Sequence, residues 1–438
     1  MSQSPPQAPP RRLGAQALRT LHLAVPVMLA RLGLMVMIMI DSIMSGQHAG
    51  ESLAHYGIAL APHVLLLVVG IGLMVATVVL VGQADGAGTP ERCGAVWRGA
   101  LGLGAAVGTL AGLVMLSGPW LLRLLGQSPA LAEGGGAALI GFAPGMPAIL
   151  MYLATSFFLE GIGRPRVGMA VALAANLPNA ALNLVLIEGY LGLPALGAAG
   201  ASLATSITRW TMLAVLVAYV LRMSGRARYG IGSGASTGPP PLRQMLRLGL
   251  PLALATGLEA GAFTTLATFA GWLGATPMAA YQTCINVVSF AFMTAIGMST
   301  AASVRTANAV GRGDRAGLAA AGWLATGLSL ALMLAIATLV VWQRDLVAAL
   351  YSDAAKVQAL ARVGFLVVGP VIVLDGLQAT LMGAHRGAAD VAVPTALQAV
   401  AFWGIAIPLA YVLALHQDWG MVGLLTGLCA GLTAASAF

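Results

Sequence analysis

Long apolar segments, separated by short polar ones, follow one another along the whole chain. Each is roughly 20 residues long or longer, the length that an α-helix needs to cross the ~30 Å hydrocarbon core of a bilayer. The twelve segments fall near residues 21–44, 55–81, 96–118, 137–159, 167–187, 197–221, 246–271, 279–303, 317–341, 361–383, 393–414 and 419–437. The pattern therefore predicts an all-α integral membrane protein with twelve transmembrane helices.

Two polar stretches divide this pattern into domains. Residues 1–20 open with the Pro-rich MSQSPPQAPPRR, which cannot form a core, and predict a disordered cytoplasmic tail. Residues 222–245 are basic and contain many Gly and Pro residues, and predict a cytoplasmic linker. We therefore expect an N-terminal six-helix bundle over residues 21–221 and a C-terminal six-helix bundle over residues 246–438.

The two predicted bundles repeat each other in sequence. Pro26 and Pro251 lie 225 residues apart, and the same offset relates GQADGAG at 82–88 to ANAVGRG at 307–313. With six helices in each unit, the second unit enters the membrane from the same side as the first. The sequence therefore predicts two parallel repeats, related by an axis along the membrane normal, with a cavity between or within them.

The charges indicate the orientation in the membrane. The net charge is +8, which in a soluble chain could indicate nucleic-acid binding, but only 8% of the residues are charged and the mean hydropathy is +0.89. Of the 22 lysines and arginines, sixteen fall on the side of the N-terminus and four on the other side. By the positive-inside rule we expect a multi-pass protein of the bacterial inner membrane with both termini in the cytoplasm, and no nucleic-acid partner.

Two acidic residues are predicted at membrane depth in the second bundle. Glu259 lies about a dozen residues from the cytoplasmic end of its helix and Asp375 about a dozen from the outer end of its own, so each is ~18 Å from the surface. Such a pair could take up and release a proton, or its oxygens could coordinate Na⁺. The alternative is that each acid only pairs with an arginine or reaches the interface, and holds helices together.

The first bundle has its own polar cluster. Asp41 has possible partners in Asn176, Asn179 and Asn183 on the fifth apolar segment and in Thr205 on the sixth. Asn179 and Asn183 are four residues apart and so share one helical face. The asparagines could instead serve only as contacts between helices. Arg31 and Arg209 are predicted at membrane depth as well, where they could form salt bridges, reach the interface, or alter the preference for substrate charge.

Several short motifs together resemble one transporter family. They are Asp41-Ser42-Ile43-Met44-Ser45-Gly46, Gly82-Gln83 with Gly86-Ala87-Gly88, Gly163-Arg164-Pro165, the pair Asn179 and Asn183, Glu259 after Leu250-Pro251, and Asp375 with Arg386-Gly387. This combination resembles the multidrug and toxic compound extrusion (MATE) family, of the NorM type, over nearly the whole chain. The uncharged residues expected at 31 and 209 are arginines here.

The resemblance implies a function. It implies a monomeric antiporter that exports cationic or amphiphilic drugs by alternating access, coupled to Na⁺ or H⁺ and without another cofactor. It implies cation binding at Glu259 and Asp375 in one lobe, and at Asp41, Asn179, Asn183 and Thr205 in the other. The expected partners are membrane lipid and small organic, chiefly cationic substrates.

Other functions fit the sequence less well. A lipid-linked oligosaccharide flippase of related fold would need several basic residues in its cavity, and Arg31 and Arg209 are the only indication of them. An intramembrane hydrolase is suggested only by Gly311-Arg312-Gly313-Asp314, which the repeat places in a loop, and HExxH and GxSxG are absent. GxxxxGK[ST] is absent too, so we expect an ion gradient rather than ATP to drive export, and no enzymatic activity.

Overall fold

The computed structural model describes residues 13–232 and 238–437, and all regular structure in these ranges is helical. Eleven helices are long and apolar enough to cross a membrane, and a bent pair of helices supplies a twelfth span. The predicted set of twelve transmembrane helices is therefore confirmed. The prediction for residues 1–12 lies outside the described residues.

We number the membrane-spanning helices α1 to α12. In the first half they are α1 Leu13–His48, α2 Gly50–Gly86, α3 Arg92–Leu116, α4 Pro129–Phe142 with Gly145–Gly161, α5 Pro165–Glu188 and α6 Ala198–Arg222. In the second half they are α7 Leu242–Trp272, α8 Ala275–Gly311, α9 Arg315–Trp342, α10 Ala355–Gly387, α11 Ala392–His416 and α12 Gly420–Ala437.

Several helix ends lie beyond the predicted apolar segments. Helix α1 begins at Leu13, so residues 13–20, which the sequence assigned to the tail, form its first turns, and Thr20 is buried. Helix α7 begins at Leu242, within the predicted linker. Polar residues can continue a helix beyond its apolar segment. Each backbone N–H bonds to a carbonyl oxygen four residues earlier in the same helix, so the helix needs no lipid around it. The remaining domain boundaries stay predictions.

Proline and glycine shape the helices. Helix α4 bends by 43° between Phe142 and Gly145, where Pro144 interrupts the backbone hydrogen bonds. In α3, Gly104, Gly108 and Gly112 face α4, and a Cβ at Gly112 would lie 2.8 Å from the Ala143 carbonyl oxygen. Small residues at this interface allow the two backbones to pack directly.

The buried side chains form two large clusters. One contains residues of α1 to α6 together with the first turns of α7, and the other contains residues of α7 to α12. We call helices α1 to α6 the N lobe and helices α7 to α12 the C lobe. A few buried side chains, Ala24 and Met28 of α1 with Met298 and Ala301 of α8, form a third small cluster between the lobes.

The close contacts between the lobes lie toward the membrane side at which α1 begins. There α2 meets α8, and a Cβ at Gly82 would lie 2.9 Å from the Ala307 side chain; Gly86 packs against the Asn308 backbone and Gly311 against that of Gln83. We call this contact the seal, formed by Gly82, Gly86, Ala307, Asn308 and Gly311. Nearer mid-membrane, α2 also meets α7, where a Cβ at Gly72 would lie 2.7 Å from the Ala253 Cα.

Candidate functional site

Asp41 is the centre of a buried hydrogen-bond network in the N lobe. Asn183 donates to its Oδ1 (2.7 Å), and Tyr56 (3.1 Å) and Thr205 (2.5 Å) donate to its Oδ2. Asn179 donates to Thr205 Oγ1 (3.4 Å), and its own oxygen lies 3.5 Å from Asn183 Nδ2. The structure thus brings the four predicted N-lobe residues together on α1, α5 and α6. Tyr56 of α2 was not predicted from the sequence.

Asn176 does not join this network. Its amide nitrogen donates to the Gly33 carbonyl oxygen at 3.1 Å, and so connects α5 to the backbone of α1. Asn176 is only three residues before Asn179, but the helix turns it toward a different neighbour. Of the three asparagines on α5, one therefore serves as a contact between helices and two surround the Asp41 carboxylate.

Arg209 lies one turn after Thr205 on α6 and is buried, with 5% of its surface exposed. Its Nη2 lies 3.0 Å from His63 Nε2, and its guanidinium lies over the Phe142 ring at 5.7 Å. His63 is stacked on the same ring, at 4.1 Å between centroids. Arg209 forms no ion pair within 4.0 Å among the described residues, but its charge and that of Asp41 attract each other.

Arg31 forms the buried ion pair that was one of its predicted roles. Its Nη2 lies 3.7 Å from Glu160 Oε1, and Ser156 donates to the same oxygen at 2.9 Å. The guanidinium also lies 5.1 Å from the centre of the Phe157 ring. Glu160, with 2% of its surface exposed, was missing from the predicted intramembrane charges. It ends α4, next to Gly161 and Arg164, and the sequence there is typical of an interfacial segment.

Glu259 lies on α7 and is partly exposed. Gln398 of α11 donates to its Oε2 at 2.9 Å. Close by, the indole of Trp403 donates to the Leu258 carbonyl oxygen at 3.1 Å, within a π-helical segment of α11, Val400–Ala406. Neither α11 residue was predicted, although π-helical turns often occur at functional sites.

Asp375 lies on α10 and is buried, with 3% of its surface exposed. Among the described residues its Oδ1 has no hydrogen-bond partner, and the nearby charge that acts on it is the repulsive one of Glu259. The buried amide oxygens of Gln378 and Gln398 also have no donor. The two predicted C-lobe acids therefore share one electrostatic site, in which hydrogen-bond acceptors outnumber donors.

Arg386, near the end of α10, is the cation whose charge acts on this site. It donates to Ser299 Oγ and to the Met382 carbonyl oxygen (3.2 Å), and its charge attracts Glu259. The sequence placed Arg386 in a cytoplasmic segment, whereas the structure places it inside α10 and half-buried. It partly compensates Glu259 but does not reach the unpartnered oxygen of Asp375.

Two acids with surplus acceptor oxygens suit the binding of a small cation. An added proton would supply the missing donor, and an alkali cation would use the same oxygens as ligands. Among the described residues, no group of three His, Cys, Asp or Glu side chains has the arrangement of a metal site.

Comparison with known proteins identifies the family. The MatE family model matches two stretches of the chain, residues 26–185 and 251–412. The chain belongs to the MATE family. The two matched stretches begin 225 residues apart, the offset of the internal repeat. The recognition made from the motifs is confirmed, and so is the two-lobed fold of twelve helices.

Relatives and solved structures agree with this assignment. "Multidrug resistance protein NorM" of Burkholderia vietnamiensis is 32% identical over 98% of this chain and 94% of its own length. "Probable multidrug resistance protein NorM" of Rhodopseudomonas palustris is 35% identical over 96% of this chain and 90% of its own. The eukaryotic MATE transporter AtDTX14 has a similar structure, with a TM-score of 0.89 at 21% identity over 97% of this chain and 94% of that one.

As a MATE protein the chain is a membrane transporter and not an enzyme. The hydrolase alternative rested on Asp314, whose carboxylate accepts a hydrogen bond from the Gly317 backbone nitrogen at 2.7 Å. It is the N-cap of α9. An aspartate at this position satisfies a free backbone donor at the helix start, which accounts for its place in the sequence.

Proposed function

We propose that this MATE transporter exports cationic or amphiphilic organic compounds, drugs among them, in exchange for Na⁺ or H⁺. The NorM relatives are named for multidrug resistance, and this supports the substrate class. The observation that carries the ion exchange is the Asp375 carboxylate, buried beside the like charge of Glu259 with one oxygen unpartnered. A proton or Na⁺ compensates that charge, and its release restores the repulsion.

Export by this route requires two conformations that bind ion and substrate differently. The seal supports alternating access, because glycine backbones packed together can separate without the loss of interlocked side chains. A ligand shifts the balance of two states only by its differential affinity for them. In our proposal the ion binds Glu259 and Asp375 when the site faces outward and is released inward, and substrate moves in the opposite direction.

The positions of the arginines support a preference for cationic substrates. Arg31 is paired with Glu160, and Arg209 is buried against Phe142, so both charges lie within the N lobe. A flippase for lipid-linked oligosaccharides would need such charges in its cavity. One structural neighbour, a MOP superfamily transporter from Pyrococcus furiosus with a TM-score of 0.87, is described as having a binding pocket of reverse polarity. In this chain the candidate ion site is acidic.

We further propose that the protein lies in the bacterial inner membrane as a monomer surrounded by lipid, with both termini and the linker in the cytoplasm. The asymmetry of the arginines supports this orientation. Reporter fusions after Gly225 and after Asp418 are expected to score inside and outside, respectively. The same side for both fusions would contradict the orientation.

Efflux from proteoliposomes tests the exchange. A cationic dye such as ethidium is loaded, and an inward Na⁺ or H⁺ gradient is imposed in turn. We expect one of the two gradients to drive efflux, and Glu259→Gln to abolish that dependence while the variant inserts normally. Glu91→Gln makes the same chemical change at an exposed acid and serves as the control. Full gradient-driven efflux in both Glu259→Gln and Asp375→Asn would refute the proposal.

A further inference from the structure

We propose that Arg209 is the resident counter-cation of Asp41, and that the N lobe of this transporter therefore exchanges no coupling ion. The inference deepens the proposed function, on which it rests, by assigning the exchanged ion to the C lobe alone. It makes Arg209 a residue that determines the ion stoichiometry. The argument depends on the geometry around Phe142.

Arg209 and its partner His63 lie on the same two helices as two members of the Asp41 network. Thr205 and Arg209 are four residues apart on α6, and Tyr56 and His63 are seven apart on α2, so each pair lies on one helical face. Thr205 and Tyr56 donate to Asp41, while the other two residues contact each other at 3.0 Å. The Phe142 ring lies between the two levels, 5.7 Å from the Tyr56 ring. Arg209 thus lies one helical turn along α6 from a residue that donates to the carboxylate.

His63 cannot supply or cancel charge here. A guanidinium can only donate hydrogen bonds, so His63 Nε2 accepts from Arg209 and the imidazole is neutral, with its proton on Nδ1. No acid lies within ion-pair distance of Arg209 among the described residues, and Glu160, the other buried acid of the N lobe, is paired with Arg31. The carboxylate that attracts Arg209 is that of Asp41.

The oxygens of Asp41 are also occupied. Asn183 donates to Oδ1, and Tyr56 and Thr205 donate to Oδ2, so three of the roughly four acceptor sites of the carboxylate are already used. In the C lobe, by contrast, Asp375 Oδ1 has no donor at all. Both oxygens of Asp41 thus accept hydrogen bonds from the protein itself, and in our proposal Arg209 supplies the compensating charge.

The balance of buried acids and arginines also differs between the two lobes. The buried acids of the N lobe, Asp41 and Glu160, are matched by Arg209 and Arg31. In the C lobe, Glu259 and Asp375 are matched by Arg386 only, which acts on Glu259. One negative charge remains in the C lobe, and one exchanged monovalent cation neutralises it.

A charge-pair rescue tests the inference. In Asp41→Asn the buried Arg209 loses its compensating charge, and we expect efflux to fall about tenfold or more. In the double variant Asp41→Asn with Arg209→Gln both charges are gone, and we expect most of the efflux to return, with the wild-type number of ions exchanged per dye. Asp41→Asn with Arg92→Gln is the matched control, because it removes an exposed arginine of the same lobe without uncovering a buried acid, and it should not recover.

Ion binding to the purified protein gives a second measurement. Arg209→Gln leaves Asp41 uncompensated, so we expect one additional Na⁺ or H⁺ to be bound per molecule, measured with ²²Na⁺ or by proton release. A double variant that folds and stays as inactive as Asp41→Asn, or an Arg209→Gln variant that binds no additional ion, would overturn the inference. Full gradient-driven efflux in both Glu259→Gln and Asp375→Asn would instead refute the proposed C-lobe exchange, and leaves the rescue result to be judged by itself.

Discussion

The two lobes come from one repeated sequence, yet they treat a buried carboxylate in opposite ways. In the N lobe, three side chains donate to Asp41, and Arg209 balances its charge. In the C lobe, Asp375 has an unpartnered oxygen and a repulsive neighbour in Glu259. Hydrogen bonds to both of its oxygens hold the Asp41 carboxylate in place, whereas the unpartnered oxygen of Asp375 remains able to accept a proton or a cation. Duplication followed by divergence has thus given one lobe of each kind.

The largest expected effect is that removal of a buried charge changes the melting temperature in opposite directions in the two lobes. Asp375→Asn removes a buried charge without a partner, so we expect the melting temperature to rise, while gradient-driven efflux falls to the level of empty vesicles. Asp41→Asn removes the compensating charge of Arg209 and should lower the melting temperature. Thermal unfolding of both variants in one detergent measures the difference. A decrease in both would show that the two acids are stabilised alike.

A second prediction concerns the other buried pair of the N lobe. Arg31→Met leaves Glu160 buried and uncompensated, and we expect it to cost about 3–5 kcal/mol of unfolding free energy. Arg31→Met combined with Glu160→Gln removes both charges and should recover most of that loss. The measurement is denaturant unfolding of single and double variants. Equal destabilisation by both would mean that the pair is not the source of the effect.

A third prediction compares the amides that bind the two acids. Gln398→Leu removes the hydrogen bond to Glu259, worth about 1.5–3 kcal/mol for a charged acceptor, and we expect it to change the concentration of ion that half-saturates efflux. Asn183→Leu removes the bond to Asp41 and is expected to change stability but not ion dependence. Ion titrations of efflux test both variants. The same shift in both would make the lobes equivalent in ion binding.

The smallest expected effect lies beside Glu259. Trp403→Phe keeps an aromatic ring in α11 but loses the indole donor to the Leu258 carbonyl oxygen, a change of about 0.6 kcal/mol for a bond between membrane helices. We expect an ion half-saturation shift of a few-fold at most. An effect as large as that of Glu259→Gln would assign Trp403 a direct role in the site.

The fold could be predicted from the sequence because the bilayer sets the length of each apolar segment. Twelve spans and their repeat followed from hydropathy and from the spacing of Pro26 and Pro251. Helix ends could not be predicted as well: α8 continues to Gly311, well past the apolar segment that ended at residue 303. Helices extend into the interfacial region without any change in hydropathy that would indicate where they end.

The site could be predicted only in part. Residues flanked by apolar sequence, such as Asp41 and Asp375, were identified, since a charge there stands out. Glu160 and Arg386 were missed because they lie near helix ends, where charges are common. Arg31, predicted at membrane depth, could have indicated a buried acid such as Glu160, since a charge at that depth usually has a partner of opposite charge. Tyr56 and His63 are seven residues apart in an apolar helix, a spacing that could have indicated a shared polar face.

The seal restricts which sequence changes this transporter can accept. At 82, 86 or 311, any residue other than glycine adds a Cβ that would lie less than 3.0 Å from an atom of the neighbouring helix in the other lobe. No amino acid is smaller than glycine, so every substitution at these positions adds a side chain between the lobes. Directed evolution toward new substrates is therefore expected to retain the glycines of the seal and to collect its changes elsewhere.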